Sequence, residues 1–439
     1  MNINKHFKNF ISVCAAQVNR STSESRFIKD VIKITSGTAL GQAVVVLFSP
    51  VLTRLYSPGD FGVFAVYASL LGVITVIGSM RYELAIPLPS DDQTAANVLV
   101  LALLFTMGVS CLSGLAVWAL GDRIVSWTKT PTLRPYLWLL PVGILGASSY
   151  MAFNYWAIRK NDYAKIGHTK FVQGIMLTLT QISLGIVHIK PFGLLLGLVV
   201  GHTTGIGTLA SSAWRNSKHS FNNVSISGIL KAAARYRRFP LVSSYSSLLD
   251  SLGAQAPAFL LAVFYGPVVA GWFALSQRVV GVPLTLLGRS VDQVYLGQAS
   301  RLMGTNQKGL RGLYLDTAKK LLLTGLVFII PFGLLAPWLF KIIFGSGWLE
   351  SGRYTQIMAP MILTQVVIAP LSQTLNFLER QDIQLLWVVI WVVSVIGSLG
   401  IAYYFNLSAA FAVIMCSTAM AFSYVLHFCF CLYVLKKRD

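Results

Sequence analysis

Charge is scarce in this chain. Charged residues make up 11% of its 439 positions and acids number only 15, where a soluble domain carries roughly 25% charged residues. So few charges cannot solvate the surface of so long a chain, which excludes a soluble enzyme, a disordered chain and a fibrous repeat. Cysteine is also sparse. Cys14, Cys111, Cys416, Cys429 and Cys431 show no CxxC or other metal spacing, so they read as small hydrophobes packed in helices. The six histidines do not cluster. The N-terminus does not read as a secretory signal: Lys5 and Lys8 precede only a short apolar stretch, Phe10 to Ala16, at the lower limit for such a signal, and polar residues follow it.

What the chain has instead is apolar length. Hydrophobic residues make up 55% and mean hydropathy is +0.66. A spanning helix needs ~20 apolar residues. Twelve such runs are found, near 35–55, 61–80, 95–119, 136–156, 169–188, 192–214, 240–264, 267–288, 318–340, 355–377, 383–404 and 407–434. Several are rich in Gly, Ser and Thr, which lets membrane helices approach closely. None alternates as a barrel strand does. An all-α membrane protein with about 12 transmembrane helices is expected.

An even number of spans puts both termini on one side. With the termini inside, the inner segments hold 27 basic residues and the outer loops seven. The positive-inside rule therefore places both termini in the cytoplasm. The net charge of +20 then reads as attraction to an anionic leaflet rather than to nucleic acid. Residues 1–34 form a basic cytoplasmic arm, 35–214 and 240–434 two six-helix lobes, 215–239 a basic cytoplasmic linker and 435–439 a cytoplasmic tail. Within the linker, Lys231 to Arg238 reads as a basic helix on the inner leaflet. No outer loop is long enough for a domain.

The halves share a pattern. Tyr56-x-Pro58-x-x-x-Gly62-x-Phe64-Ala65 recurs as Tyr265-x-Pro267-x-x-x-Gly271-x-Phe273-Ala274, an offset of 209, and Gly72-Val73 recurs as Gly281-Val282. A duplicated six-span unit follows, both copies having the same orientation. The proline is expected to fix a tight outer turn, and the glycine to let each second helix start close to the first. In transporters built this way the substrate site lies between the halves, near the midplane.

Leu52-Thr-Arg54-Leu-Tyr56-Ser-Pro58-Gly-Asp60-Phe61-Gly62-Val-Phe64-Ala65, then Arg81-Tyr-Glu83-Leu-Ala-Ile-Pro87-Leu-Pro89, resembles the oligosaccharide flippases, the Wzx-like polysaccharide transporters. These belong to the superfamily that also holds the multidrug and toxin extrusion (MATE) transporters. Ile229-Leu-Lys231 through Phe239-Pro240-Leu is similar as well. The likeness runs over roughly residues 28 to 435. It implies a V-shaped MATE-like fold of two six-helix lobes in the bacterial inner membrane. It also implies movement of an undecaprenyl-diphosphate-linked oligosaccharide to the periplasmic leaflet for O-antigen, capsule or exopolysaccharide. Implied partners are that substrate, membrane lipids, and the polysaccharide polymerase and chain-length machinery. No cofactor is implied beyond a coupling ion, H+ or Na+.

Only two charges sit well inside spans, Asp250 in the seventh and Arg278 in the eighth. A mid-bilayer charge costs ~2.5–3.5 kcal/mol even on the lenient insertion scale, so it should face a partner or water. Both are at similar depth on adjacent spans, so they are placed to pair. Ser243, Ser247, Asp250, Ala254 and Pro257 share one face; Gly271, Ala274, Arg278, Gly281, Thr285 and Gly288 make a matching stripe. The two readings are a buried structural pair, or Arg278 gripping the diphosphate while Asp250 tunes it. Arg159 and Arg81 at inner span ends are candidates for headgroup capture, and Arg54 at an outer end for release. Gln42, Asn154, Gln181, His202, Gln365 and Gln373 are intramembrane polar groups, read as helix-to-helix hydrogen bonds. The alternatives are an ion-coupled multidrug or cation antiporter, which wants buried carboxylates, and a membrane polysaccharide polymerase, which wants a large outer loop or an acidic pair.

Overall fold

The computed structural model describes residues 22–302 and 307–438. Residues 1–21 of the expected basic arm and Asp439 of the tail lie outside the described residues, as does the Thr285 side chain. The described secondary structure is helical, with no strand among the described residues.

Sixteen α-helices are described. They are α1 (Thr22–Leu47), α2 (Ser49–Leu55), α3 (Pro58–Ile77), α4 (Asp92–Thr128), α5 (Leu139–Arg159), α6 (Tyr163–Ile186), α7 (Phe192–Thr203) and α8 (Ile206–Asn222). The second half holds α9 (Ile226–Arg235), α10 (Ser244–Tyr265), α11 (Pro267–Leu302), α12 (Gln307–Phe344), α13 (Leu349–Ile368), α14 (Thr374–Phe377), α15 (Gln381–Tyr404) and α16 (Ala409–Arg438). Nine segments of the described residues are long and apolar enough to cross a membrane. The other three expected spans fall on α5, α6 and α11, which carry more polar residues. The protein is a multi-pass membrane protein.

Local chemistry starts and breaks these helices. Ser57 and Asp60 form a capping box at the head of α3, with Pro58 in its first turn. Asp91 caps α4 by accepting from the Thr94 N–H at 2.6 Å, and that bond holds its carboxyl below the usual range. The first span breaks between α1 and α2, where Pro50 follows Phe48 and Ser49. Ser49 Oγ repairs part of the break by donating to the Val45 carbonyl at 2.9 Å.

Two expectations change. The expected inner loop 289–320 is largely a helical hairpin made by the ends of α11 and α12. Its charged residues end the apolar run without ending the backbone hydrogen bonding, so hydropathy alone truncates both helices. The expected basic helix Lys231 to Arg238 is displaced toward the N-terminus: α9 covers Ile226–Arg235 and ends before Tyr236. Ser225 Oγ caps it at Gly228, while Asn97 of α4 accepts from the Ser225 N–H at 3.2 Å. Ile226 and Leu230 stay 79% and 64% exposed on it.

Packing follows the halves. In the first, α1 packs along α6, α6 along α7, and α5 against α4 and α7. In the second, α12 packs along α13, α13 along α16, and α15 against α10 and α16. Helix α3 bridges them by packing on both α10 and α11. The crossing of α3 and α11 depends on the repeated glycines. A Cβ on Gly62 would lie 1.7 Å from the Pro267 carbonyl oxygen, and one on Gly271 would lie 1.9 Å from that of Pro58. The glycine of each repeat thus meets the proline of the other, not the helix before it as the spacing suggested. The partner is the other repeat because the two copies cross about a pseudo-twofold relation that sequence alone does not display.

Candidate functional site

The proline ends of α3 and α11 lie at the face opposite the basic loops. Trp348, 2% exposed, plugs that end. Its Nε1 donates to the Thr53 carbonyl of α2 at 3.1 Å, and its ring meets Phe61 edge-on at 4.9 Å. Trp272 donates to the Gly347 carbonyl at 3.0 Å beside it. The halves are therefore locked together at this end by backbone contact, a buried indole and the Trp348–Thr53 hydrogen bond, and the Trp272–Gly347 bond holds the Trp348 loop in place.

Toward the basic face the first half is hollow. Two adjoining cavities of about 390 and 520 Å³ share Lys170, Gln173, Leu198 and His202. The smaller reaches Gly72, Thr75, Arg81, Glu83 and Gln255, so it touches α3, α10 and the basic-face end of the interface. The larger adds Thr38, Gln42 and Asn154.

Lys170 is central to both. It lies two turns into α6, with Nζ 4.4 Å from the Tyr150 ring centroid and 3.3 Å from Gln173 Oε1. The ring face and the amide stabilise an ammonium in an apolar wall. Lys170 stands at the very start of the apolar run 169–188, where a basic residue reads as a span end rather than as an intramembrane charge. The available signal was the face Lys170, Gln173, Gly174, Leu177 and Gln181, which has helical spacing.

Arg81 lines the smaller cavity. Its backbone is left-handed, φ 61°, which turns the chain sharply at the end of α3. Its Nη1 lies 3.3 Å from Glu83 Oε1. Glu83 is 2% exposed and also accepts from Ser79 Oγ, so this carboxylate is already satisfied.

The other expected residues sit elsewhere. Arg278 Nη2 donates to the Val45 carbonyl of broken α1 at 3.3 Å, so it faces protein at the α1–α11 seam rather than acyl chains. Its Nε has no partner among the described residues. Asp250 is exposed on α10 and forms no ion pair with Arg278. The shared depth placed the two charges together, but the crossing turns α11 toward α1 at this level. Arg159 is committed to the loop before α4. It donates to Asp92 Oδ1 at 3.1 Å, and to the carbonyls of Pro89 and Ser90. Lys160 also binds Asp92. Arg54 donates to the Pro50 carbonyl of its own helix at 3.2 Å. The polar groups divide: Gln42, Asn154 and His202 line the cavities, whereas Gln181 donates to the Leu194 carbonyl at 3.1 Å as a helix-to-helix bond.

The arrangement is closed at one face and hollow toward the other. The family described as polysaccharide biosynthesis protein matches residues 51–353. The chain belongs to that family. No curated protein matches it.

Solved structures show what fold this family member has. It is similar to a multidrug resistance MATE family transporter of the MOP superfamily in an inward-facing conformation. That match has TM-score 0.57 and 16% identity, covering 92% of this chain and 96% of that one. It is also similar to the Vibrio cholerae MATE transporter VcmN in the bent form, at TM-score 0.53 and 12% identity over 95% and 99% of the two chains. A third likeness is to a MOP superfamily transporter from Pyrococcus furiosus, at TM-score 0.52 and 15% identity over 93% and 96%. For that archaeal protein, reverse polarity of the binding pocket suggests a different function. The fold is thus that of the MATE transporters.

Proposed function

We propose that this polysaccharide biosynthesis family member is a flippase for an undecaprenyl-diphosphate-linked oligosaccharide repeat unit. It moves that unit from the cytoplasmic to the periplasmic leaflet of a bacterial inner membrane, in the service of O-antigen, capsule or exopolysaccharide. The basic face is the cytoplasmic one on this reading, and both termini lie there. The substrate supplies the reason for the fold. A diphosphate with a polar sugar cannot cross ~30 Å of hydrocarbon unaided. A hollow open to one leaflet at a time removes that barrier.

The observation that carries the reading is the cationic wall of the hollow. Lys170 and Arg81 line it, and its lining carboxylate, Glu83, is engaged by Arg81 and Ser79. A site of this kind favours an anionic headgroup and disfavours the cationic drugs an antiporter of this superfamily would take. In the proposed cycle Arg81 and Lys170 hold the diphosphate by charge-assisted hydrogen bonds. Gln42, Asn154 and Gln173 receive sugar hydroxyls. Arg278 and Asp250 act at the seam between lobes as the crossing opens, Arg159 braces the loop before α4, and Arg54 aids release. An ion gradient, H+ or Na+, gives the cycle direction, and the polymerase and chain-length machinery receive the product.

Deletion in the native host tests this. Intact lipid-linked units accumulate facing the cytoplasm and surface polysaccharide is lost. Normal surface polysaccharide in a host without a redundant transporter overturns the reading.

A further inference from the structure

Helix α9 divides into three sectors. Ile226, Leu230 and Ala234, at i, i+4, i+8 spacing, form an apolar row that the described residues leave exposed. A second flank is packed inward. Ala232 and Tyr236 are buried in one cluster with Tyr82, Ala85 and Ile86 of the turn after α3 and with the start of α4. The third sector is basic. Lys231 and Arg235 stand one turn apart, and Arg237 and Arg238 follow the helix; all four are exposed. Residues 163–249 include no Asp or Glu, so no neighbour along the chain neutralises them.

The height of α9 is fixed as well. Gln93 Nε2 donates to the Asn223 carbonyl at 3.1 Å, Asn97 accepts from the Ser225 N–H, and Tyr82 Oη donates to the Ala233 carbonyl at 3.3 Å. Gln93 and Asn97 flank the point where the apolar run of α4 begins, so α9 lies where α4 enters the bilayer. Trp214, at the end of the apolar run 192–214, is exposed and stacks on Phe221 at 5.7 Å. It marks the same level, since indole rings collect at membrane–water boundaries. Beyond α9 the exposed apolar surface continues through Leu241, Val242 and Tyr245 into the next span.

We propose that α9 is a docking site for anionic phospholipid of the leaflet at the basic face, and that lipid bound there braces the turn carrying Arg81. The Ile226–Leu230–Ala234 row enters the acyl chains, while Lys231, Arg235, Arg237 and Arg238 meet headgroup phosphates. A soluble acidic partner would satisfy the basic residues but leave the apolar row in water. The brace follows from packing. Tyr82 adjoins Arg81 in sequence and is buried with Ala232 and Tyr236, so α9 cannot shift without carrying the turn at the wall of the hollow. None of this depends on the flippase reading, because lipid contact is measured with no substrate present.

The test is hydrogen–deuterium exchange of the full chain in nanodiscs of phosphatidylcholine, with and without phosphatidylglycerol. Amides of 226–235 and of 82–86 are expected to exchange at least several-fold more slowly where phosphatidylglycerol is present. Helix α2, at the opposite face, exchanges alike in both. The double variant Lys231→Gln, Arg235→Gln loses most of the difference at both segments, and both side chains are exposed, so it is expected to fold. Leu230→Ser speeds exchange of α9 in both lipids. Equal exchange of the parent in the two lipids overturns the proposal, as does a difference that survives undiminished in the double variant. Slowing in α9 without slowing in 82–86 overturns the brace.

Discussion

Gly62 rests on the main chain of Pro267 so closely that a Cβ would fall 1.7 Å from its carbonyl oxygen. Gly271 repeats the contact on Pro58 with the roles exchanged. Neither carbonyl can move without shifting its helix, so this end of the lobe interface is either closed with glycine or open. Gly62→Ala and Gly271→Ala are each expected to penalise the closed crossing by about 1–3 kcal/mol, which shifts the open-to-closed ratio by roughly 5- to 150-fold. Spin-label distances between the starts of α3 and α11 check this. An unchanged distribution in both variants removes the crossing as a gate.

Trp348 should matter for the same closure. Truncation to Ala removes the Phe61 contact and leaves the Thr53 carbonyl short of its donor. A loss of about 3–5 kcal/mol is expected for so large a buried ring. Trp348→Phe keeps the ring but not the hydrogen bond, and should cost about 1–3 kcal/mol. Detergent-resolved unfolding measures both. Equal effects would mean the ring packing contributes nothing beyond the hydrogen bond.

Lys170 and Arg159 separate binding from scaffolding. Lys170→Ala should lose complementation of a flippase deletion while inserting and unfolding like the parent, and Lys170→Arg should retain part of the activity. Arg159→Ala should instead lower Tm and protein level, because it leaves the Pro89 and Ser90 carbonyls and Asp92 with fewer donors. Activity per folded molecule should then stay near that of the parent. The opposite pattern would exchange the two roles.

Arg278→Ala is expected to abolish complementation with insertion preserved, and Asp250→Asn to impair it less. The reason is position. Arg278 ties α11 to the Val45 carbonyl beside the break in α1, where the lobes must part, whereas Asp250 is exposed and held by no ion pair of the described residues. Full activity of Arg278→Ala would leave it a local brace for the α1 break.

The sequence by itself determined the class, the span count and the family. These depend on quantities that sum along the chain: apolar length, the asymmetry of basic residues and the recurrence of Tyr-x-Pro-x-x-x-Gly. It also marked Arg81, since a basic residue at a span end is visible without coordinates. Only the tertiary structure decided which helix each glycine touches, that Arg278 and Asp250 stay apart, and that Lys170 lines a hollow. Those facts depend on how helices cross and rotate. The energies that set crossing and rotation come from contacts between residues hundreds of positions apart, which a linear pattern does not record.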